Sequence, residues 1–355
     1  MQTDSIELGF LSIFSLLTFF IFLLISKFSY KLNNGVLLDK DFSKPQAFHN
    51  EEITRSGGIA VLISLSIFIF IYYILYSELL YNYIFVGILL FSIGYLDDAN
   101  IKVSPNFRLI LMIFFLLILI NFLPIYISNI DLIFFKPWIE NKFFSTLFVL
   151  LCFLFIINGA NLIDGFNGLL AINLIIINSI LLFINLENNQ LEFSTFLTAQ
   201  IIILICFLLF NFPKAKIFLG DSGSYLLGSL VSLNTIITNN LNTTISSFFF
   251  CILLFYLFFE VFFSFLRKLY QSKSPVFPDD KHLHMLSFNL IKKYFGYHKS
   301  NYINSIVINL VYSFLVLPSI YFAENGFVCK IWFFSLVIVY TTFYIKLYRL
   351  TKNQI

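Results

Sequence analysis

The sequence predicts an all-α, polytopic transmembrane bundle of about eleven helices. Three observations carry this: composition, the length of the apolar runs, and the placement of Lys and Arg. Of 355 residues, 59% are hydrophobic and 12% charged, and mean hydropathy is +0.90. A soluble domain carries about 25% charged residues. Length alone would suggest two soluble domains of roughly 150 residues each; the composition overrides that.

Apolar runs near 20 residues fall at 8–26, 59–76, 80–96, 108–127, 143–160, 168–186, 195–212, 223–238, 244–266, 302–322 and 328–348. The first lacks a basic leader and is long enough to span, so it reads as a helix rather than a cleavable signal. The second follows Gly57-Gly58, and the third stops at Asp97-Asp98. The fifth and sixth meet in FIINGANLIDGFNGLLAI, where Asn158, Asn161, Asp164 and Asn167 interrupt an apolar stretch. The eighth is short and rich in Ser and Asn, the weakest of the set.

An odd number of spans puts the termini on opposite sides. With the N-terminus periplasmic, the inner segments are 27–58, 97–107, 161–167, 213–222, 267–301 and 349–355. Extended a few residues into the helix ends, they hold all of the 22 Lys and Arg except Lys136, Lys142 and Lys330. That is the positive-inside bias, and it makes the C-terminus cytoplasmic. The loops 27–58 and 267–301, roughly 30 residues each, are too short for a core of their own. The chain therefore reads as one integral-membrane domain, 1–355, with any chemistry at the cytoplasmic helix ends. A membrane lipid is a natural reactant there. Cys152, Cys206, Cys251 and Cys329 stand singly in apolar surroundings and read as packing residues. Nothing suggests a nucleic-acid partner.

Four polar clusters remain: GYLDDAN with Asp97 and Asp98; NLIDGFNG with Asn161, Asp164 and Asn167; KIFLGDSGSYLLG with Asp221; and SPVFPDDKHLHM with Asp279, Asp280, His282 and His284. Alone, a DD pair is ordinarily a solvated helix end and GDSG a turn. Together, all four fall on the side that Lys and Arg define independently, and intramembrane polar residues mark function. Carboxylates at one depth suit Mg²⁺, which takes one or two protein acids and fills its shell with water and substrate phosphates. Gly220 and Gly223 at a helix start suit close backbone approach and phosphate binding by free N–H groups. An acid for metal beside a phosphate nest reads as a site for a nucleotide diphosphate. Glu260, inside the ninth span, is expected to pair with Arg267 or Lys268 at the helix end.

At these clusters the sequence resembles the polyprenyl-phosphate N-acetylhexosamine-1-phosphate transferases (glycosyltransferase family 4), from about residue 39 to 285. LDD, NLIDGxxGL, FLGDSGS and PDxxHxH occur in the family's order. Lys44, His49, Arg55 and Gly57-Gly58 match its early cytoplasmic stretch. SPxxPDxxHxH is similar to the WecA-like branch, which initiates O-antigen and related surface polymers, more than to the phospho-MurNAc-pentapeptide transferases, which stand as the alternative.

The resemblance implies transfer of sugar-1-phosphate from a UDP-N-acetyl sugar to undecaprenyl phosphate in a bacterial inner membrane, with Mg²⁺ as cofactor and Mn²⁺ as a substitute. A homodimer is compatible with it. Asp221, with Asp98, would hold the metal. Asp97 and Asp98 would handle the lipid phosphate, Asp97 as a candidate base. Asp164 and Asn161 would line the donor site, Phe218 would stack the uracil with Asn211 near it, and His282 and His284 would contact the diphosphate or sugar. Asn167 stands where the family often has Asp; an amide hydrogen-bonds but carries no charge. The donor is open among UDP-GlcNAc, the default, and the GalNAc, QuiNAc and FucNAc nucleotides. A transporter is the competing class; it would place the acids near the bilayer midplane.

Overall fold

A computed structural model of the chain describes residues 2–31, 36–39, 52–101, 103–274 and 279–352. Lys44 and His49 lie outside them. The helices are α1 (Gln2–Phe28), α2 (Gly57–Tyr76), α3 (Tyr81–Asp98), α4 (Pro105–Phe122), the short α5 (Lys136–Glu140), α6 (Lys142–Ile163), α7 (Leu169–Glu187), α8 (Leu191–Asn211), α9 (Gly220–Leu241), α10 (Ser247–Leu253), α11 (Phe255–Tyr270), α12 (Leu283–Val316) and α13 (Gly326–Lys352). The strands are β1 (Leu38–Asp39) and β2 (Ile53–Thr54), an antiparallel pair.

Every predicted span falls on a helix. Among the described residues, eight helices are long and apolar enough to cross a membrane, and nine if the bent α10–α11 pair is one span. The predicted third and eighth spans, α3 and α9, are outside that group because both carry polar residues. Protein shields α9 instead. In α9 every residue from Ser222 to Ile236 is buried, with α2, α3, α6 and α7 packed around it.

Small residues make that enclosure tight. Gly94 of α3 meets the backbone of Asp221 and Ser222, Gly58 of α2 meets Gly223, and Gly228 of α9 meets Ile157 and Ala160 of α6. Helix association in a bilayer depends on such close approach and on interhelical hydrogen bonds. Asn234 supplies the latter. It accepts from Tyr83 Oη (2.7 Å) and donates to Asn178 (3.0 Å) and Gln200 (2.8 Å), tying α9 to α3, α7 and α8. Its polar groups are matched inside the bundle, which offsets their cost in an apolar medium.

Four boundaries differ from the sequence expectation. The run 108–127 ends as α4 at Phe122, because Leu123 turns extended before Pro124. The short span 223–238 is a full α9, since its Ser and Asn face neighbouring helices rather than lipid. The run 244–266 is two helices meeting at a 76° bend. The loop 267–301 is largely helical: α11 continues to Tyr270 and α12 starts at Leu283, with a break at Gly296 where φ is 73°. A glycine accommodates that left-handed conformation without steric cost.

The close approach at Gly94 predicts that Gly94→Ala destabilises the protein by about 1–3 kcal/mol. The added Cβ would overlap the Asp221 carbonyl, which is backbone and cannot rotate away. Thermal unfolding in detergent should show a lowered Tm for Gly94→Ala. Gly9→Ala, whose Cβ meets nothing within 4 Å, should leave it unchanged or raised.

Candidate active site

The N-terminus of α9 organises the first half of the site. Gly220, at φ 77°, turns the chain into the helix, and a Cβ there would lie 2.5 Å from Asp98 Oδ2. Asp98, at the end of α3, accepts the backbone N–H of Asp221 at Oδ1 (3.0 Å) and of Ser222 at Oδ2 (2.9 Å). Its side chain is fully enclosed. A carboxylate so placed satisfies two orphan donors and complements the helix dipole. The N–H groups that the sequence offers to a phosphate are thus held by the protein's own acid.

The segment ITRSGG zips onto the approach to α9. Phe218 N–H donates to Thr54 C=O (2.8 Å), while Gly57 and Gly58 N–H donate to the carbonyls of Phe218 (2.8 Å) and Leu219 (2.9 Å). This fixes Arg55 over the acids. It donates to Asp39 Oδ2 through Nη2 (2.9 Å), and its Nη1 is 3.8 Å from Asp97 and 3.7 Å from Asp98. Burial works against the Arg55 charge, but Asp39, Asp221 and Asp98 outweigh it and hold the guanidinium above its ordinary range. Arg108, in the first turn of α4, places Nη1 between Asp97 Oδ1 (3.2 Å) and Asp221 Oδ2. Asn161 Nδ2 donates to Asp221 Oδ1 (3.0 Å) and to Ser224 Oγ (3.0 Å).

Asp164 lies just past the end of α6. Burial, and then the carboxylates of Asp221 and Asp98, push its carboxyl well above the ordinary range, with Arg55 pulling the other way. The remaining polar residues of this stretch have structural partners. Asn158 bonds back to Leu154 C=O (2.7 Å) within α6. Asn167 Nδ2 donates to Pro213 C=O (2.9 Å), and its N–H is received by Asn301 (2.8 Å). Asn211 is buried; it accepts Gly168 N–H (2.7 Å) and donates to Ile217 C=O (3.0 Å). It braces the wall beside the half-buried Phe218.

The second half surrounds the start of α12. His282 Nδ1 is 3.1 Å from Glu260 Oε1, and Nε2 is 3.2 Å from Asp279 Oδ1. Arg267 Nη2 pairs with Asp279 Oδ2 (2.9 Å). Burial opposes the Asp279 charge, but His282, Arg267 and Lys268 more than compensate and lower its pKa. Glu260 therefore partners His282 and Tyr340 (2.6 Å), not the expected Arg267 or Lys268. The bend before α11 turns it toward the loop, while Arg267 reaches Asp279. His284 has Nδ1 3.3 Å from Tyr256 Oη, and its buried Nε2 has no partner among the described residues, nor do Arg267 Nε and Nη1. Donors of this kind, buried and unspent, are what an anionic ligand would need. Phe166 joins the halves, its ring 5.8 Å from that of His284.

Asp97, Asp98, Arg108, Asp164, Asp221 and His282 sit at helix ends, whereas Glu260 and Tyr340 lie within α11 and α13. Arg108, Glu260 and Tyr340 were not singled out as site residues on the sequence. Arg108 had one signal, an isolated cation opening an apolar helix; Tyr340 had none, being one aromatic in an aromatic-rich run. For a metal, no three of His, Cys, Asp and Glu converge as a cage among the described residues. Mg²⁺ does not require one. The donor set fits it through Asp97 and Asp221, whose carboxylates already share one cationic nitrogen of Arg108, whereas Asp98 has both oxygens engaged.

Residues 80–239 match the model of glycosyl transferase family 4, a stretch that contains Asp97, Asp98, Asn161, Asp164 and Asp221. The undecaprenyl-phosphate alpha-N-acetylglucosaminyl 1-phosphate transferase of Thermotoga maritima is 26% identical over 79% of this chain and 81% of its own length. The phospho-N-acetylmuramoyl-pentapeptide-transferase of Dictyoglomus turgidum is 31% identical over 63% of this chain and 73% of its own. A probable undecaprenyl-phosphate N-acetylglucosaminyl 1-phosphate transferase of Bacillus subtilis is 25% identical over 68% of each. With its acids gathered at one helix-end site and these relatives spanning most of its length, the chain belongs to glycosyl transferase family 4.

Proposed function

We propose that this chain transfers N-acetylhexosamine-1-phosphate from a UDP-sugar to undecaprenyl phosphate, giving undecaprenyl-pyrophosphate-sugar and UMP, at the cytoplasmic face of a bacterial inner membrane. The observation that carries the reading is the convergence of Asp97, Asp164 and Asp221 with Arg55 and Arg108 at one end of a membrane bundle. UDP-GlcNAc is the donor we favour, because two of the relatives are named for N-acetylglucosaminyl 1-phosphate transfer.

In this reading an oxygen of the lipid phosphate attacks the sugar-side phosphorus of the donor. The bond from that phosphorus to the bridging oxygen breaks, and UMP leaves with the electron pair. Phosphoryl transfer of this kind depends on positioning and charge neutralisation. Arg55 and Arg108 supply fixed positive charge beside the acids. Asn161 orients Asp221. Phe218 offers a ring for the uracil, and Arg267, His282 and His284 offer donors to the diphosphate or sugar. Mg²⁺ held by Asp221 and Asp97 would offset the charge of the two phosphate groups and favour the ionised form of the crowded carboxylates.

The similarity to phospho-N-acetylmuramoyl-pentapeptide-transferases supports a second reading, with UDP-MurNAc-pentapeptide as donor. The SPVFPDDKHLHM stretch favours the first.

Purified protein should release UMP from UDP-GlcNAc only when undecaprenyl phosphate and Mg²⁺ are both present, and EDTA should abolish release. Asp221→Ala and Asp97→Asn should each lower kcat by about 10²–10³-fold; full activity in either would remove that residue from the site. A panel of UDP-sugars, including UDP-MurNAc-pentapeptide, decides between the readings. Asn167→Asp replaces the amide that donates to Pro213 with an acceptor. It should change kcat/KM unequally across the panel, whereas an equal loss for every donor would assign Asn167 a purely structural role.

A further inference from the structure

We infer that Glu260 and Tyr340 form a buried clamp that positions His282 for the sugar-phosphate donor. The inference rests on the donor-binding role of His282 proposed above.

Glu260 is 1% exposed and lies on α11 among the rings of Phe255, Phe259 and Tyr340. A carboxylate in such surroundings is costly unless its oxygens are filled. They are. Oε1 accepts Leu283 N–H (2.9 Å) and faces His282 Nδ1 (3.1 Å), and Oε2 accepts Tyr340 Oη (2.6 Å). An ionised carboxylate only accepts, so Nδ1 of His282 carries the hydrogen. The opposite edge of the ring then faces Asp279 Oδ1 at 3.2 Å. Glu260 thus fixes the His282 ring through Nδ1, with its Nε2 edge beside Asp279 and Arg267, where the donor is proposed to bind.

Tyr340 matters because it comes from α13. Its ring packs edge-on against Phe259 (4.9 Å) and Phe263 (5.5 Å), so the clamp ties α11 and α13 to the His282 loop. The charged and titratable groups near His282 are Asp279, Arg267, Lys268 and Glu260, then His284, whose ring lies parallel to it at 5.5 Å, and beyond these Tyr256, Tyr340 and Tyr344. Among the described residues, Glu260 is the one carboxylate paired with Nδ1.

The test is a double-mutant cycle on the purified full-length chain, read by calorimetric UDP-GlcNAc binding and by KM for donor against kcat. Glu260→Gln should weaken donor binding about 10–100-fold. Tyr340→Phe should weaken it several-fold, and Glu260→Asp should retain more affinity than Glu260→Gln. On a His282→Ala background, Glu260→Gln and Tyr340→Phe should add nothing further. Additive losses on that background, or wild-type binding by a folded Glu260→Gln protein, would overturn the clamp. Should Glu260→Gln fail to fold, the Tyr340→Phe arm carries the same comparison. Absence of UMP release by the wild-type enzyme with every donor would instead refute the transferase reading itself.

Discussion

Asp98 capping the first turn of α9 is the interaction on which the site depends. One carboxylate, with no exposure of its own, holds two N–H groups of a helix in the middle of the bundle. Left unmatched, each of those donors would cost about 1–3 kcal/mol. The cap also sets position. It joins the end of α3 to the start of α9, so Asp97 and Asp221, each adjacent to one end of the bond, are brought to the same arginine. Gly94, Gly58 and Gly220 are small because the approach leaves no room for a Cβ.

The acids this arrangement collects do not neutralise one another. Arg55 and Arg108 offset part of the charge, and burial, followed by the carboxylates of Asp221 and Asp98, raises the Asp164 pKa. A site of that character suits the Mg²⁺ and anionic donor proposed above. The second half is more evenly balanced: Arg267 and Lys268 stand with Asp279 and Glu260, and donor nitrogens of Arg267 and His284 are unspent among the described residues. Phe166, between the halves, belongs to the same short turn as Asp164 and Asn167. The turn is therefore the seam of the site, not merely a polar break in an apolar run.

Much of this was legible in the chain, for reasons that can be named. Helix positions followed from apolar length, since a bilayer demands about 20 residues per crossing. The four acidic and histidine clusters stood out because polar groups are rare and expensive in such a sequence. The family motifs added residue-level expectations for Asp97, Asp164, Asp221 and His282. Glu260 was misjudged because its nearest cations in sequence, Arg267 and Lys268, are about two turns along the same helix. The 76° bend before α11 and the path of the following loop deliver His282 to it instead. Asp98 and Asp97 were adjacent and indistinguishable by type; only the packing of α3 on α9 makes one a buried cap and the other a half-exposed acid.

The sequence by itself determined that the chain is a helical membrane bundle with its polar chemistry at one end. Local rules suffice for that: apolar length, charge placement, and the cost of burying polar groups. Tertiary structure decided which polar group meets which. Arg108 on Asp221, Tyr340 on Glu260 and Asn167 on Pro213 each join residues from 46 to 113 positions apart. Such pairings arise from how twisted, bent and closely packed helices converge, a geometry that no local pattern of residues encodes.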